Sequence, residues 1–123
     1  MQSMLLWGAA AAAFATFAVH TFVGGVYVAR PLLADRTLPK ASKWLNYYCW
    51  HVTTLVILAM CGAFAYAATR PGAADLAAAV TVLAFSFSGL SVGTALKGGI
   101  NPFRFPSTTL FAVTAALGFA GLV

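Results

Sequence analysis

Two histidines are the residues of this sequence best suited to chemistry. His20 lies in the first long apolar block of the chain and His51 lies in the second. An imidazole can bind a metal ion, ligate a haem iron, carry a proton or donate a hydrogen bond. Neither block contains Asp or Glu, so the carboxylate of a proton-coupled exporter or of a di-carboxylate metal centre is missing.

The positions of the histidines place them at the same depth if the two blocks are antiparallel helices. His20 lies about ten residues before the end of its block, and His51 lies about eight residues after the start of its own. At 1.5 Å per residue, both imidazoles lie roughly 12–15 Å from the same end. The same arithmetic predicts one polar layer across four helices, formed by His20, His51, Ser88, Ser91 and Thr114.

Helical periodicity predicts a pocket beside this layer. Residues three, four or seven positions apart share one face of an α-helix. The predicted pocket is lined by both histidines and by Thr16, Gly24, Tyr27, Tyr47, Tyr48 and Thr54. Gly24, one turn from His20, is expected to leave room for a flat macrocycle.

Three interpretations of the histidine layer are open at this point. In the first, each histidine bonds a hydroxyl or carbonyl of a neighbouring helix, and the chain is a structural or accessory bundle. In the second, neutral histidines and hydroxyls line a hydrated path, and a homo-oligomer transports a solute. In the third, His20 and His51 ligate haem b or a metal ion in a redox protein.

An enzyme is the least favoured class. A nucleophile, a base and an orienting acid cannot be assembled inside the apolar blocks, because Asp35 and Asp75 lie in connections at opposite ends of the helices. We therefore expect a non-enzymatic protein.

The composition identifies the membrane as the solvent of these helices. Of the 123 residues, 62% are hydrophobic and 7% are charged, and the mean hydropathy is +0.90, whereas soluble domains are about 45–50% apolar and about 25% charged. The charged residues leave four apolar blocks, approximately 4–29, 43–68, 74–97 and 107–123. They predict a single all-α integral membrane domain, an up-down bundle of four transmembrane helices with short loops.

Proline and basic residues predict where the spans end. We expect the first span to stop at Arg30 and Pro31, and residues 30–43 to form a loop among the lipid headgroups. Because no Lys or Arg precedes Arg30, the first block is expected to be retained and not cleaved as a secretory signal. Ser107 is the predicted N-cap of the fourth helix.

The basic residues predict an orientation and a partner. Six of the seven lie in or beside the first and third connections, and only Arg70 lies in the second. The positive-inside rule then predicts a bacterial-type inner membrane protein with both termini on the non-cytoplasmic side. Because these residues flank apolar spans, we expect them to contact anionic lipid headgroups and not nucleic acid; the predicted contacts are Arg30, Arg36, Lys40, Lys43 and Arg104.

Small residues at helical spacing predict close helix packing. Gly89 and Gly93 form a GxxxG pair, and Gly25 and Ala29 form a weaker pair of the same kind. Each pair is expected to face another span or another copy of the chain, as a homo-oligomer or an accessory subunit would require.

Overall fold

The structure is a computed structural model that describes residues 1–123. It is all-helical, with 88% of residues in helices and no strands. Short 3-10 turns, Pro71–Ala73 and Pro102–Arg104, precede the last two long helices. We number the four long helices in chain order: α1, Gln2–Ala34; α2, Lys40–Thr69; α3, Ala74–Lys97; and α4, Pro106–Ala120.

Three of these helices have the length and composition of membrane spans. They are α1, α2 and α3, the last counted together with its preceding turn from Pro71. α4 has 15 residues, which is about 22 Å of helix and less than the ~30 Å hydrocarbon core of a bilayer. Helix length alone therefore supports three crossings.

The helices pack through small side chains around a few large ones. α1 contacts α2 and α4, and α3 contacts α4 more extensively than it contacts α2. One apolar cluster surrounds Phe64 and includes Ala9, Ala10 and Ala77. A second surrounds Ile57, Met60 and Phe111. Alanines at these positions let the helix backbones approach, which is how helices associate in lipid.

α1 contains two consecutive π-helical turns, Val19–Val23 and Gly25–Ala29. The N–H of Gly24 donates to the carbonyl of Val19, and the N–H of Arg30 donates to the carbonyl of Gly25, each five residues back. The expected helix end at Arg30 and Pro31 is wrong, because α1 continues to Ala34. A proline ring normally clashes with the carbonyl four residues before it, and the wide turn just before Pro31 relieves that clash.

The connection between α1 and α2 is shorter than the predicted loop and is organised by Asp35. Its Oδ1 accepts hydrogen bonds from the Thr37 hydroxyl (2.7 Å), the Thr37 N–H (2.6 Å) and the Leu38 N–H (3.1 Å). The bond from the Thr37 side chain, followed by the two backbone bonds, holds the pKa of the Asp35 carboxyl below its usual range. The Lys43 ammonium donates to the carbonyls of Leu33 (3.2 Å) and Asp35. Residues 30–34 and 40–43, which were expected to lie in the loop, are helical.

The start of α4 also differs from expectation. Its N-cap is Phe105, without a side-chain cap, and Pro106 occupies the first turn, a position that suits proline. Ser107 is therefore not the N-cap. Its hydroxyl lies 2.8 Å from that of Ser91 on α3.

The GxxxG pair of α3 faces away from the other helices of the chain. Gly89 and Gly93 are not in contact with them, since a Cβ added at either would meet no atom within 4 Å. Neither glycine therefore packs against another span of the same chain. Gly25 also meets nothing within 4 Å, whereas Ala29 is buried.

Candidate functional site

His20 joins α1 to α2 through its Nε2 atom and the face of its ring. Its Nε2 lies 3.2 Å from the Trp50 carbonyl oxygen and 3.1 Å from the Thr54 hydroxyl. Because a carbonyl only accepts, Nε2 carries the proton in this arrangement. The imidazole stacks on the Trp50 indole with 3.9 Å between ring centroids and 19° between planes. His20 thus acts as an interhelical hydrogen-bond donor.

Gly24 admits the Trp50 side chain. A Cβ on Gly24 would lie 2.5 Å from Trp50 Cη2 and 3.1 Å from Cζ2. The space predicted for a macrocycle is therefore filled by the indole. With Nε2 of His20 already bonded and the indole in the space beside it, this arrangement does not fit a haem between the two histidines.

The neighbouring glycines provide a matched test of this contact. We expect Gly24→Ala to displace Trp50 and to lower the free energy of unfolding by about 1–2 kcal/mol. Gly25→Ala, which meets nothing within 4 Å, is expected to be neutral or to stabilise the helix by up to about 1 kcal/mol. Denaturant titration in mixed micelles measures both, and the Trp50 fluorescence reports the displacement. Equal stability of the two variants would contradict the role assigned to Gly24.

His51 has a different environment although it directly follows Trp50. Its side chain is exposed and makes no hydrogen bond within the chain. Its only ring contact is an edge-on one with Tyr47, one turn earlier on α2, at 4.5 Å and 86°. The two histidines therefore differ: the Nε2 of His20 is bonded within the fold, and His51 is free to bond a ligand.

A cleft of about 340 Å³ lies between the second half of α1 and the first half of α2. We call it the α1–α2 cleft. It contains three residues of the predicted pocket, namely His51, Tyr47 and Thr54. Its other lining residues are Thr21, Phe22, Gly25, Val26, Ala29, Arg30, Leu33 and Trp50.

The other residues of the predicted pocket lie elsewhere. Thr16 is buried and donates to the Ala12 carbonyl at 2.8 Å. Tyr27 and Tyr48 are 76% and 64% exposed, so placing them in the pocket was wrong. For Tyr27 the reason is the π turns, because each adds a residue per turn and so rotates the later residues of α1 by about 100° relative to a regular α-helix.

The predicted polar layer divides into two separate groups. The histidines lie between α1 and α2. Between α3 and α4, Ser88 donates to the Thr108 carbonyl at 2.8 Å, and Ser91 lies 2.8 Å from both the Ser107 and Thr108 hydroxyls. Thr114 is fully buried and donates to the Leu110 carbonyl at 2.9 Å. No hydrogen bond or ring contact joins the two groups, and the hydroxyls of the second group find their partners on α3 and α4.

Thr21 is a cleft residue that periodicity did not identify. Its Oγ1 is buried and has no hydrogen-bond partner. In an α-helix a threonine hydroxyl often bonds the carbonyl four residues back, as Thr16 and Thr54 do here. The π turn around Thr21 changes that geometry. The Gly24-Gly25 pair was the only sequence signal of an irregular helix at this point.

The chemistry available in the cleft is binding by hydrogen bonds and stacking. The structure contains no group of three or more His, Cys, Asp or Glu residues placed to hold a metal ion. Asp35 bonds only within its own loop, and Asp75 lies at the opposite end of the helices. No protein-family model, curated protein or solved structure matches this chain. The residues of the cleft and of the helix surfaces are therefore the basis for a function.

Proposed function

We propose that this chain is a four-transmembrane-helix bundle of a bacterial-type inner membrane and serves as a structural or accessory subunit of a membrane complex. α4, with the residues after it, supplies the fourth crossing by packing along α1 and α3, and local bilayer thinning accommodates its short length. Both basic connections are at the end of the bundle opposite Arg70. The positive-inside rule makes that end cytoplasmic and leaves both termini on the non-cytoplasmic side.

The proposal rests on the closed interior of the helix bundle. Phe64, Ile57, Met60 and Thr114 are at most 1% exposed. The buried Thr81 and Thr114 hydroxyls donate to carbonyls of their own helices, at 2.7 and 2.9 Å. A packed centre of this kind favours a scaffold over a conduit through a single copy, because conduction requires a hydrated path.

The outward glycines supply the surface for a partner. Gly89 and Gly93 leave a shallow strip on α3 where another helix backbone can approach closely. In the accessory role, a larger membrane protein docks on this strip. A second copy docked there is the second candidate, a homo-oligomer in which transport uses a path between chains.

Site-specific photocrosslinking in native membranes tests the proposal. A benzophenone side chain at Gly89 is expected to give an adduct with a different membrane protein, whose abundance falls when this chain is deleted. The matched control is the same side chain at Tyr27, which is exposed on α1 and should crosslink to lipid. An adduct of twice the chain mass of 12.8 kDa would establish the homo-oligomer instead, and lipid adducts alone at Gly89 would contradict both.

Vesicle reconstitution tests the closed interior independently. We expect proton, potassium and chloride fluxes indistinguishable from those of empty vesicles, since one copy has no polar path through its core. A flux that His20→Leu and His51→Leu both reduce would contradict the scaffold role. Circular dichroism of the reconstituted variants serves as the control for folding.

A further inference from the structure

His51 is a polar side chain without a partner inside the apolar part of the chain. It lies about three turns beyond the start of α2. Unsatisfied polar groups cost several kcal/mol in hydrocarbon, and intramembrane histidines mark ligand or ion sites by default. His20, at a comparable level, is bonded to Trp50 and Thr54. The structure thus bonds the Nε2 of His20 within the fold and leaves the His51 imidazole in the lining of a cleft, without a hydrogen bond.

The opposite wall of the α1–α2 cleft carries a second group without a partner. Thr21 follows His20 on α1, and His51 follows Trp50 on α2, so the His20–Trp50 stack brings Thr21 and His51 to the same level. The Thr21 hydroxyl is buried and unbonded. If the Thr21 side chain rotates toward the cleft, its hydroxyl can form a hydrogen bond with the same ligand that bonds His51.

The shape of the cleft favours a flat and mostly apolar ligand. Aromatic rings of Phe22, Tyr47 and Trp50 line it, and Gly25 contributes no side chain. Its volume of about 340 Å³ is at the small end of ligand pockets, which span roughly 300–1,000 Å³. A single ring with a few substituents is the size of group that fits.

The depth of the polar pair distinguishes between membrane ligands. Arg30 lies at the basic rim of the cleft, nine positions beyond Thr21 in the sequence. The polar pair is therefore roughly 10–13 Å further into the bilayer. A phospholipid phosphate remains at the interface with Arg30 and does not reach the pair, whereas a neutral ring lipid does.

We propose that the α1–α2 cleft binds a quinone-class isoprenoid lipid. His51 donates a hydrogen bond to one ring carbonyl, the Thr21 hydroxyl donates to a neighbouring oxygen, and the aromatic walls contact the ring faces. The isoprenoid tail leaves the open side of the cleft into the bilayer. The inference rests on the membrane placement proposed above and involves no electron transfer by this chain.

Equilibrium binding in nanodiscs of neutral phosphatidylcholine tests this site. Decylubiquinone is titrated against the protein, quenching of tryptophan fluorescence is followed, and native mass spectrometry counts the bound molecules. We expect one quinone per chain. His51→Phe keeps a ring and loses the donor, and Thr21→Val keeps the shape and loses the hydroxyl; each should weaken binding about three- to tenfold.

Gly25→Leu fills the cleft and should weaken binding at least about tenfold. Its matched control is Gly62→Leu, because both glycines meet nothing within 4 Å and only Gly25 lines the cleft. Gly62→Leu should bind like the parent protein. If Gly25→Leu fails to fold, the His51 and Thr21 variants, which add little or no volume, still decide the question.

Three results would overturn the proposed site. One is equal quinone binding by all variants, which indicates partition into the bilayer. Another is no quinone binding by protein that enters nanodiscs normally. The third is retention of phosphatidylglycerol in place of quinone, with dependence on Arg30 and not on His51. A chain that does not enter nanodiscs would instead refute the membrane placement, and the Gly89 crosslinks test the subunit role separately.

Discussion

Phe64→Ala is expected to lower the free energy of unfolding by about 2–3 kcal/mol. Phe64 is fully buried at the centre of the cluster that joins α1, α2 and α3. In a bilayer the transfer term for moving a phenyl ring from lipid into protein is small, so the cost comes from lost packing. Removing roughly 100 Å³ of ring at about 24 cal/mol per Å³ of cavity gives that value.

Phe85→Ala is the control for this substitution. Phe85 is 73% exposed on α3, so its ring lies on the outer surface of the helices and its loss opens no cavity. We expect a change within about 0.5 kcal/mol. Reversible unfolding in dodecyl sulfate mixed micelles measures both variants. A Phe64→Ala cost no greater than that of Phe85→Ala would mean that the interior is not packed as described.

Gly118→Leu is expected to destabilise the chain by about 3 kcal/mol or to prevent folding. A Cβ on Gly118 would lie 2.9 Å from Phe64 Cε1 and 3.0 Å from Phe64 Cζ, and it would also contact the Thr81 hydroxyl. The rigid ring is itself enclosed, so the added side chain has no space to occupy. Overpacking of a closed core costs about 1–3 kcal/mol and sometimes more.

Gly89→Leu provides the matched control on another helix. Gly89 has no atom near its missing Cβ, and leucine is a better helix former than glycine by about 0.8 kcal/mol. The control should therefore be neutral or slightly stabilised in detergent. The same unfolding assay applies, and Gly118→Ala gives a smaller loss of the same sign if the leucine variant does not fold. Tolerance of Gly118→Leu would show that α4 does not approach Phe64.

The positions of the helices depend on signals that act locally. Arg70, Pro71 and Gly72 interrupt the apolar pattern, and the helices on either side end and begin there. Lys97 ends α3 for the same reason. Charged residues and prolines mark the helix ends in the sequence. Burying an unpaired charge, or leaving a backbone hydrogen bond unmade, costs free energy in any helix of the chain.

The faces of the helices were less predictable than their positions. Assigning Tyr27 to the face of His20 assumed 3.6 residues per turn between them, and the π turns break that assumption. Nothing in a hydrophobic pattern marks such a turn. Tyr47 and Thr54 lie on regular α2, and both were placed beside His51 in the predicted pocket and line the observed cleft.

Contacts with specific partners were the least predictable feature. Gly24 and Gly25 are adjacent and identical in type, yet one receives the Trp50 indole and the other borders the cleft. Only the tertiary arrangement distinguishes them. The Ser88 and Ser91 hydroxyls of α3 similarly bond Thr108 of α4 and do not form a shared layer with the histidines.

The hydrogen bonds that Asp35 accepts also determine how this protein responds to acid. Because they depress the pKa of the carboxyl, Asp35 stays ionised through the mildly acidic range in which an ordinary aspartate begins to gain a proton. The turn that it organises is stable above that range and is lost only as the pH falls through the depressed pKa. The net charge of the first connection is consequently constant during moderate acid stress.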